Sequence, residues 1–458
     1  MAVFIPPVEI GHATEVQHNR FYVYSISAVV ALGGILFGFD MVIISGTVPF
    51  FTKYFVLGES STGWAVGCIN LGAAAGALLA GKLSSAIGRK KVLLICSFLF
   101  AVTGVATGWA TSFDIFIISR LLSGVAVGVA ALVCPMYIAE VAPASMRGRL
   151  VAFYQLAIVS GLLLAYLSNY LLLNSGENNW RWMFSSQTIP SLLFFGGLFF
   201  IPESPRWLVE KNRRTDALQV LSQIGGNAYG KAEVSAIEES FLSRVKENIR
   251  DLIKGDVRHI IFIGAMVAIF SQAGGQNSLF SYAPVIFQQA GVAAETAFLQ
   301  SVVIGVINFI FTFVAIVFID KIGRRKLLLY GAALLCLDAL ALSFSFYIDA
   351  PAYLILLFVL SFIAIYAATL GPVTWVILSE IFPNRIRSNS MAFATLCLWV
   401  ANFFTTASFP VLKEQFGLDV TFAIHATICF VYFLFVKGSI PETKGKSLEE
   451  IELQLVRK

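Results

Sequence analysis

The chain is predicted to be an all-α integral membrane protein with twelve transmembrane helices in two six-helix halves and cytoplasmic N- and C-termini. Three observations carry that prediction. Of its 458 residues, 58% are hydrophobic and only 13% are charged, against roughly 25% charged in a soluble domain. There are 41 Phe and only 27 acidic side chains, so a water-soluble globule could not hide the apolar surface. Long stretches such as 260–294 and 388–412, finally, carry no Asp, Glu, Lys, Arg or His at all. These facts exclude an ordinary soluble enzyme.

The spans follow in order. A bilayer-crossing helix needs about 20 mostly apolar residues. Twelve such stretches lie near 21–46, 63–82, 92–112, 115–138, 151–173, 182–201, 260–283, 297–319, 327–347, 351–379, 391–412 and 420–437. They lack strict alternation and exceed the length of barrel strands, about 9–11 residues. The first is not preceded by a basic n-region and not followed by an A-x-A site, so it is expected to remain as a helix rather than leave as a signal peptide. Pro284 and Pro372 mark places where the seventh and tenth spans are expected to break.

Alternate loops hold Lys82, Arg89, Lys90 and Lys91; Arg147 and Arg149; Lys321, Arg324, Arg325 and Lys326; and Arg385 and Arg387. The opposite side has Lys53, Arg181 and Lys413. The positive-inside rule therefore places both termini in the cytoplasm. The formal charge of +5 is spent on lipid headgroups and loop carboxylates, and no nucleic-acid partner is expected. The six Cys are scattered through apolar runs without metal or redox spacing, and read as buried small hydrophobes. No metal site and no cofactor are expected.

The domain reading is residues 1–201 for the first half, 202–259 for a cytoplasmic linker with short amphipathic helices, 260–437 for the second half and 438–458 for a tail. Short patterns repeat between the halves at nearly constant offset. Gly88-Arg-Lys-Lys91 returns as Gly323-Arg-Arg-Lys326, Glu140-Val-Ala-Pro143 with Arg147 as Glu380-Ile-Phe-Pro383 with Arg387, and Pro202-Glu-Ser204 as Pro441-Glu-Thr443. Repeats of this kind build secondary transporters, whose halves rock about a midplane site. Arg89, Glu140, Arg147, Glu203, Arg206, Arg324, Glu380, Arg387 and Glu442 are expected to form a cytoplasmic gate, an ion-pair network across the seam between halves. The competing reading is topology anchoring, which would not need the acidic partners.

The chain resembles the sugar porter family of the major facilitator superfamily, nearest in pattern to bacterial proton-coupled pentose and hexose symporters. The matching strings are Gly33-Gly-Ile-Leu-Phe-Gly-Phe-Asp40, Pro202-Glu-Ser-Pro-Arg-Trp-Leu208, Gly371-Pro-Val-Thr-Trp375, Ser379-Glu-Ile-Phe-Pro383 and Pro441-Glu-Thr-Lys-Gly445. Arg120 and Arg147-Gly-Arg149 also fit, and the resemblance runs over essentially the whole chain. It implies a twelve-helix fold, a monosaccharide partner at the centre, proton coupling, a monomer and a multi-pass place in a cell membrane, with a bacterial inner membrane favoured.

Charges at bilayer depth cost roughly 2.5–3.5 kcal/mol and ask for a reason. Four stand inside spans: Asp40, Arg120, Asp338 and His425. Burial raises the proton affinity of a carboxyl group and a facing guanidinium lowers it. A pair whose separation changes between states could therefore take up and release a proton, and the resemblance implies this role for Asp40 with Arg120. The plainer alternative is a structural ion pair. Asp338 reads as a helix-packing residue bonded to Ser or Tyr, and His425 as a packed histidine. The glycines Gly33, Gly34 and Gly38 lack the Lys-Ser/Thr of a phosphate loop and read as close helix packing or a bend near Asp40.

A sugar needs amides that donate and accept together and an aromatic plane against its C–H face. Suitable residues are Gln155, Gln272, Gln276, Asn277, Asn308, Trp375, Trp399 and Asn402. The resemblance implies sugar contact for all of these but Gln276, and adds Phe37. Amides in membrane helices also serve as interhelical glue. Three departures alter the implied pocket: Ser271 replaces a Gln, Ser281 replaces the first of two Tyr, and Gln276 adds an amide. Proton-coupled import of a hexose or pentose is the favoured expectation. Facilitative uniport is the alternative, followed by a transporter-like sugar sensor, which the short tail disfavours.

Overall fold

The structure, a computed structural model, describes residues 18–242, 255–383 and 386–444. It is helical: α1 (Arg20–Tyr54), α2 (Glu59–Ile87), α3 (Arg89–Gly108), α4 (Phe113–Val141), α5 (Ala144–Leu172), α6 (Asn179–Ser186), α7 (Thr188–Phe199), α8 (Pro205–Glu210), α9 (Arg214–Leu242), α10 (Gly255–Ala273), α11 (Gln276–Gln289), α12 (Ala294–Ile322), α13 (Arg324–Tyr347), α14 (Ala352–Ala368), α15 (Leu370–Ile381) and α16 (Arg387–Ser439). Ten stretches are long and apolar enough to cross a membrane, when α10 is joined with α11 and α14 with α15. α16 counts among them as one but turns at Gly417, whose φ is 82°, and so crosses twice. α6 and α7 together complete the twelfth crossing.

Apolar side chains cover the outside as well as the inside. Ile95, Phe98, Leu171, Leu193, Leu337 and Phe404 are all exposed, the arrangement a hydrocarbon solvent requires. Helix contact within the bundle uses small residues. A Cβ on Gly38 of α1 would lie 1.8 Å from the Ile158 carbonyl of α5, so glycine is what lets the two backbones touch. This agrees with the packing reading of the Gly33–Gly38 run. All six Cys are free, and only Cys336 and Cys397 are not fully buried.

The expected proline breaks are corrected. α11 runs straight through Pro284, and the seventh span breaks earlier, at Gly274–Gly275, where Gly275 adopts φ 100°. In the tenth span the break falls at Thr369, with φ −128° and ψ −86°. Pro372 then sits in the first turn of α15, where a missing N–H costs nothing. The linker forms α8 and α9. α8 starts because Ser204 accepts from the Trp207 N–H and Pro205 occupies the first helical position. α9 is broken at Gly225–Gly226. The end of the linker at 243–254 and the tail from residue 445 lie outside the described residues.

Candidate functional site

Asp40 on α1 and Arg120 on α4 meet in the interior. The Arg120 Nη1 lies 2.7 Å from Asp40 Oδ1, and both side chains are 1% exposed. The second carboxylate oxygen accepts from the Ser123 hydroxyl, one turn beyond Arg120. Arg120 also lies over the Phe184 ring at 5.7 Å, while its Nε and Nη2 have no hydrogen-bond partner among the described residues. Asp40 is thus fully engaged and the guanidinium is not. The pair is held where loss of one charge would strand the other in low dielectric, the condition for linking a protonation event to a change of shape. Ser123 was not singled out by sequence, although its i+3 spacing from Arg120 was visible.

The break between α10 and α11 gathers the amides of the seventh span. Asn277 Nδ2 donates to Gln272 Oε1 at 2.6 Å, and Gln272 Nε2 donates to the Ser271 hydroxyl at 3.2 Å. Gln276 Nε2 donates to the Ser271 carbonyl at 2.6 Å, so this amide closes the break. Tyr366 of α14, which sequence reasoning missed, lies close to Gln272 and Gln276. Ser271 therefore takes a scaffolding place in a cluster where the family resemblance implied another amide.

Phe37 of α1 and Trp399 of α16 approach across the molecule, with ring centroids 5.8 Å apart and planes tilted by 52°. The Trp399 indole N–H and the Asn402 carbonyl oxygen are buried without a partner among the described residues, one donor and one acceptor suited to a hydroxylated ligand. Asn308 on α12 is also buried, whereas Gln155 on α5 and Trp375 on α15 are half-buried. Among the described residues no hydrogen bond joins these last three to the α10–α11 cluster. Asp338 on α13 accepts from the Ser361 hydroxyl of α14, as its packing reading expected. The buried His425 ring lies against the α10–α11 break.

The charged cytoplasmic loops form two equivalent clusters. In the first, Arg89 pairs with Glu140 at 2.8 Å, and Glu203 accepts from the backbone N–H groups of Arg89 and Lys90 at the start of α3. In the second, Arg324 pairs with Glu380 at 3.2 Å and Glu442 accepts from the Arg324 N–H. Each acid thus serves a helix N-terminus or the arginine of its own six helices. In this conformation these pairs close within each set of helices. Arg387 donates to the Phe382 carbonyl, Arg206 lies over the Phe241 ring at 5.6 Å, and Arg147 is exposed with no ion pair among the described residues.

The polar contacts that do cross lie toward the outer side. Lys413 pairs with Glu59 at 3.6 Å, Asn70 Nδ2 donates to Thr406 at 3.2 Å, and Tyr166 donates to the Phe280 carbonyl at 2.8 Å. A Cβ on Gly63 of α2 would lie 2.0 Å from the Ala407 carbonyl of α16. Above this closure is a basin of about 640 Å³ whose lining includes Lys53, Glu59, Thr62, Gln288 and Lys413. The outer side is sealed by direct helix contact, while the inner charged clusters pair within their own sets of helices.

A family model described as "Sugar (and other) transporter" matches residues 26–455. The D-xylose-proton symporter of Escherichia coli (strain K12) is 38% identical to this chain over 474 residues, covering 95% of this chain and 96% of the relative. The arabinose-proton symporter of Bacillus subtilis (strain 168) is 35% identical, with coverage of 95% and 96%. Among solved structures, the inward-open conformation of the xylose transporter XylE from E. coli superposes with a TM-score of 0.86 at 36% identity, covering 95% of this chain and 100% of that one.

Proposed function

The chain belongs to the sugar (and other) transporter family, and from that premise we propose that it carries a monosaccharide across the membrane by proton symport through alternating access. It is a multi-pass membrane carrier, with no covalent step to catalyse. Its likeness over nearly full length to a xylose-proton and an arabinose-proton symporter supports a pentose or hexose as substrate and a bacterial inner membrane as location. The pathway runs between residues 1–201 and 260–437 as two rocking halves of a monomer, with 202–259 as the linker.

The observation that carries the coupling is the buried contact of Asp40 with Arg120 and Ser123. With the outer side closed, Asp40 holds the charged arginine at 2.7 Å. Protonation removes the ion pair and frees α1 to move against α4, so the proton and the conformation become linked. Sugar binds in the central space that Phe37, Trp399 and Asn402 face, with Gln155, Gln272, Gln276, Asn277, Asn308 and Trp375 lining the same level of the bundle. The two arginine–glutamate clusters are the cytoplasmic gate in this reading, closing toward each other when the outer side opens.

Uptake of labelled xylose, arabinose, glucose and galactose into proteoliposomes, with and without an inward proton gradient, tests the proposal. Accumulation of at least one sugar above its external concentration, dependent on the gradient, is expected. Equilibration unaffected by the gradient would make the protein a facilitative uniporter, and no uptake of any sugar would overturn the substrate class.

A further inference from the structure

The break in the seventh span frees carbonyls that a continuous helix would have bonded, and groups from the last span meet two of them. His425 of α16 places Nδ1 3.3 Å from the Ala273 carbonyl. One turn later, Cys429 directs its thiol to the Gly274 carbonyl at 3.8 Å. At the next turn Tyr432 stacks on Phe270, with centroids 5.3 Å apart and planes within 20°. Positions 425, 429 and 432 share one face of the helix, so this face runs along the seventh span from its last regular turn to its break. The fit is tight: a Cβ on Gly275, whose φ is 100°, would lie 2.7 Å from the His425 ring.

The amides of the site stand on either side of this break, Gln272 before it and Gln276 and Asn277 after it. Their relative placement is therefore fixed by the geometry of Ala273–Gly275. We propose that His425 is a positioning residue for substrate recognition: by donating its Nδ1–H to the Ala273 carbonyl it sets the angle of the break and so the register of Gln272 against Asn277. A carbonyl can only accept, which requires the Nδ1-protonated tautomer. Nε2 is then a lone pair, and it is buried without a partner among the described residues, so nothing else on the ring competes for its orientation. The role rests on the reading of these amides as sugar contacts.

Initial rates of xylose uptake by proteoliposomes of wild type, His425→Ala, His425→Asn and Gln272→Leu separate the possibilities. Loss of a hydrogen bond that orders the site is expected to raise KM about tenfold in His425→Ala with the maximal rate held within about twofold. His425→Asn, whose amide N–H stands near the place of Nδ1, is expected to restore KM to within about twofold of wild type. A wild-type KM in His425→Ala, or equal impairment in His425→Ala and His425→Asn, overturns the positioning role. A wild-type KM in Gln272→Leu instead overturns the amide site on which the role rests. Should His425→Ala fail to fold, nitrogen NMR of wild-type protein labelled at its four histidines still decides: an Nδ1-protonated neutral imidazole is expected at position 425, and an Nε2-protonated one contradicts the proposal.

Discussion

Asp40 accepts from both Arg120 and Ser123, while Arg120 has no second anion among the described residues. Removing one member of such a buried pair leaves an uncompensated charge, at a cost of about 3–5 kcal/mol. Arg120→Leu is therefore expected to lower thermal stability by that amount, and Asp40→Asn combined with Arg120→Leu to recover most of it. A double variant no more stable than the single one would mean that the pair is not the unit described. At the proposed sugar site, Asn402 offers a buried carbonyl oxygen with no partner among the described residues. Asn402→Ala is expected to weaken xylose binding about five- to tenfold, the worth of one hydrogen bond, read by quenching of tryptophan fluorescence. The charged pair was legible because ionisable residues stand out in apolar sequence. Ser123 and Tyr366 were not, because a hydroxyl in a membrane helix more often bonds its own backbone, as Thr47 and Ser97 do.

At the scale of helices, two features decide the shape: close approach through glycine and interruption of spans. Gly38 lies against the α5 backbone, whereas a Cβ on Gly196 would meet nothing within 4 Å. Gly38→Val is expected to destabilise the protein by about 1–3 kcal/mol and Gly196→Ala to be nearly neutral, in the same thermal melt. Equal melting temperatures for the two would show that the α1–α5 contact is not tight. Hydropathy located every span, since length and polarity set them locally. It misplaced the breaks. A proline announces a missing N–H, but α11 absorbs Pro284 and turns instead at Gly275, where φ 100° is open to glycine at little cost. What selects one glycine among 36 is the neighbour that fills the gap, here the His425 ring from a span 150 residues away in sequence.

The whole molecule is closed outside, by Gly63 against Ala407 and by Lys413 with Glu59. Gly63→Leu cannot pack there and is expected to shift the population outward. A cysteine at Thr62→Cys in the outer basin should then react with an impermeant reagent about tenfold faster. An unchanged rate would place the outer seal elsewhere. The recurrent motifs were legible as a repeat, and the structure gives both copies one geometry, Arg89 with Glu140 and Arg324 with Glu380. Their partners were not legible, because sequence does not say which state of a rocking molecule is occupied, and pairs within a half and across the seam use the same residues.

The central claim is that Asp40 ties sugar movement to a proton, and proton flux triggered by sugar tests it most directly. Proteoliposomes carrying an internal pH dye are given xylose, and acidification is read beside sugar accumulation. Wild type is expected to acidify and, with one proton per sugar, to accumulate xylose about tenfold per pH unit of gradient, since one unit is worth about 1.4 kcal/mol. Asp40→Asn is expected to lose both signals while still exchanging labelled for unlabelled xylose. Acidification and accumulation that survive Asp40→Asn unchanged would contradict the account.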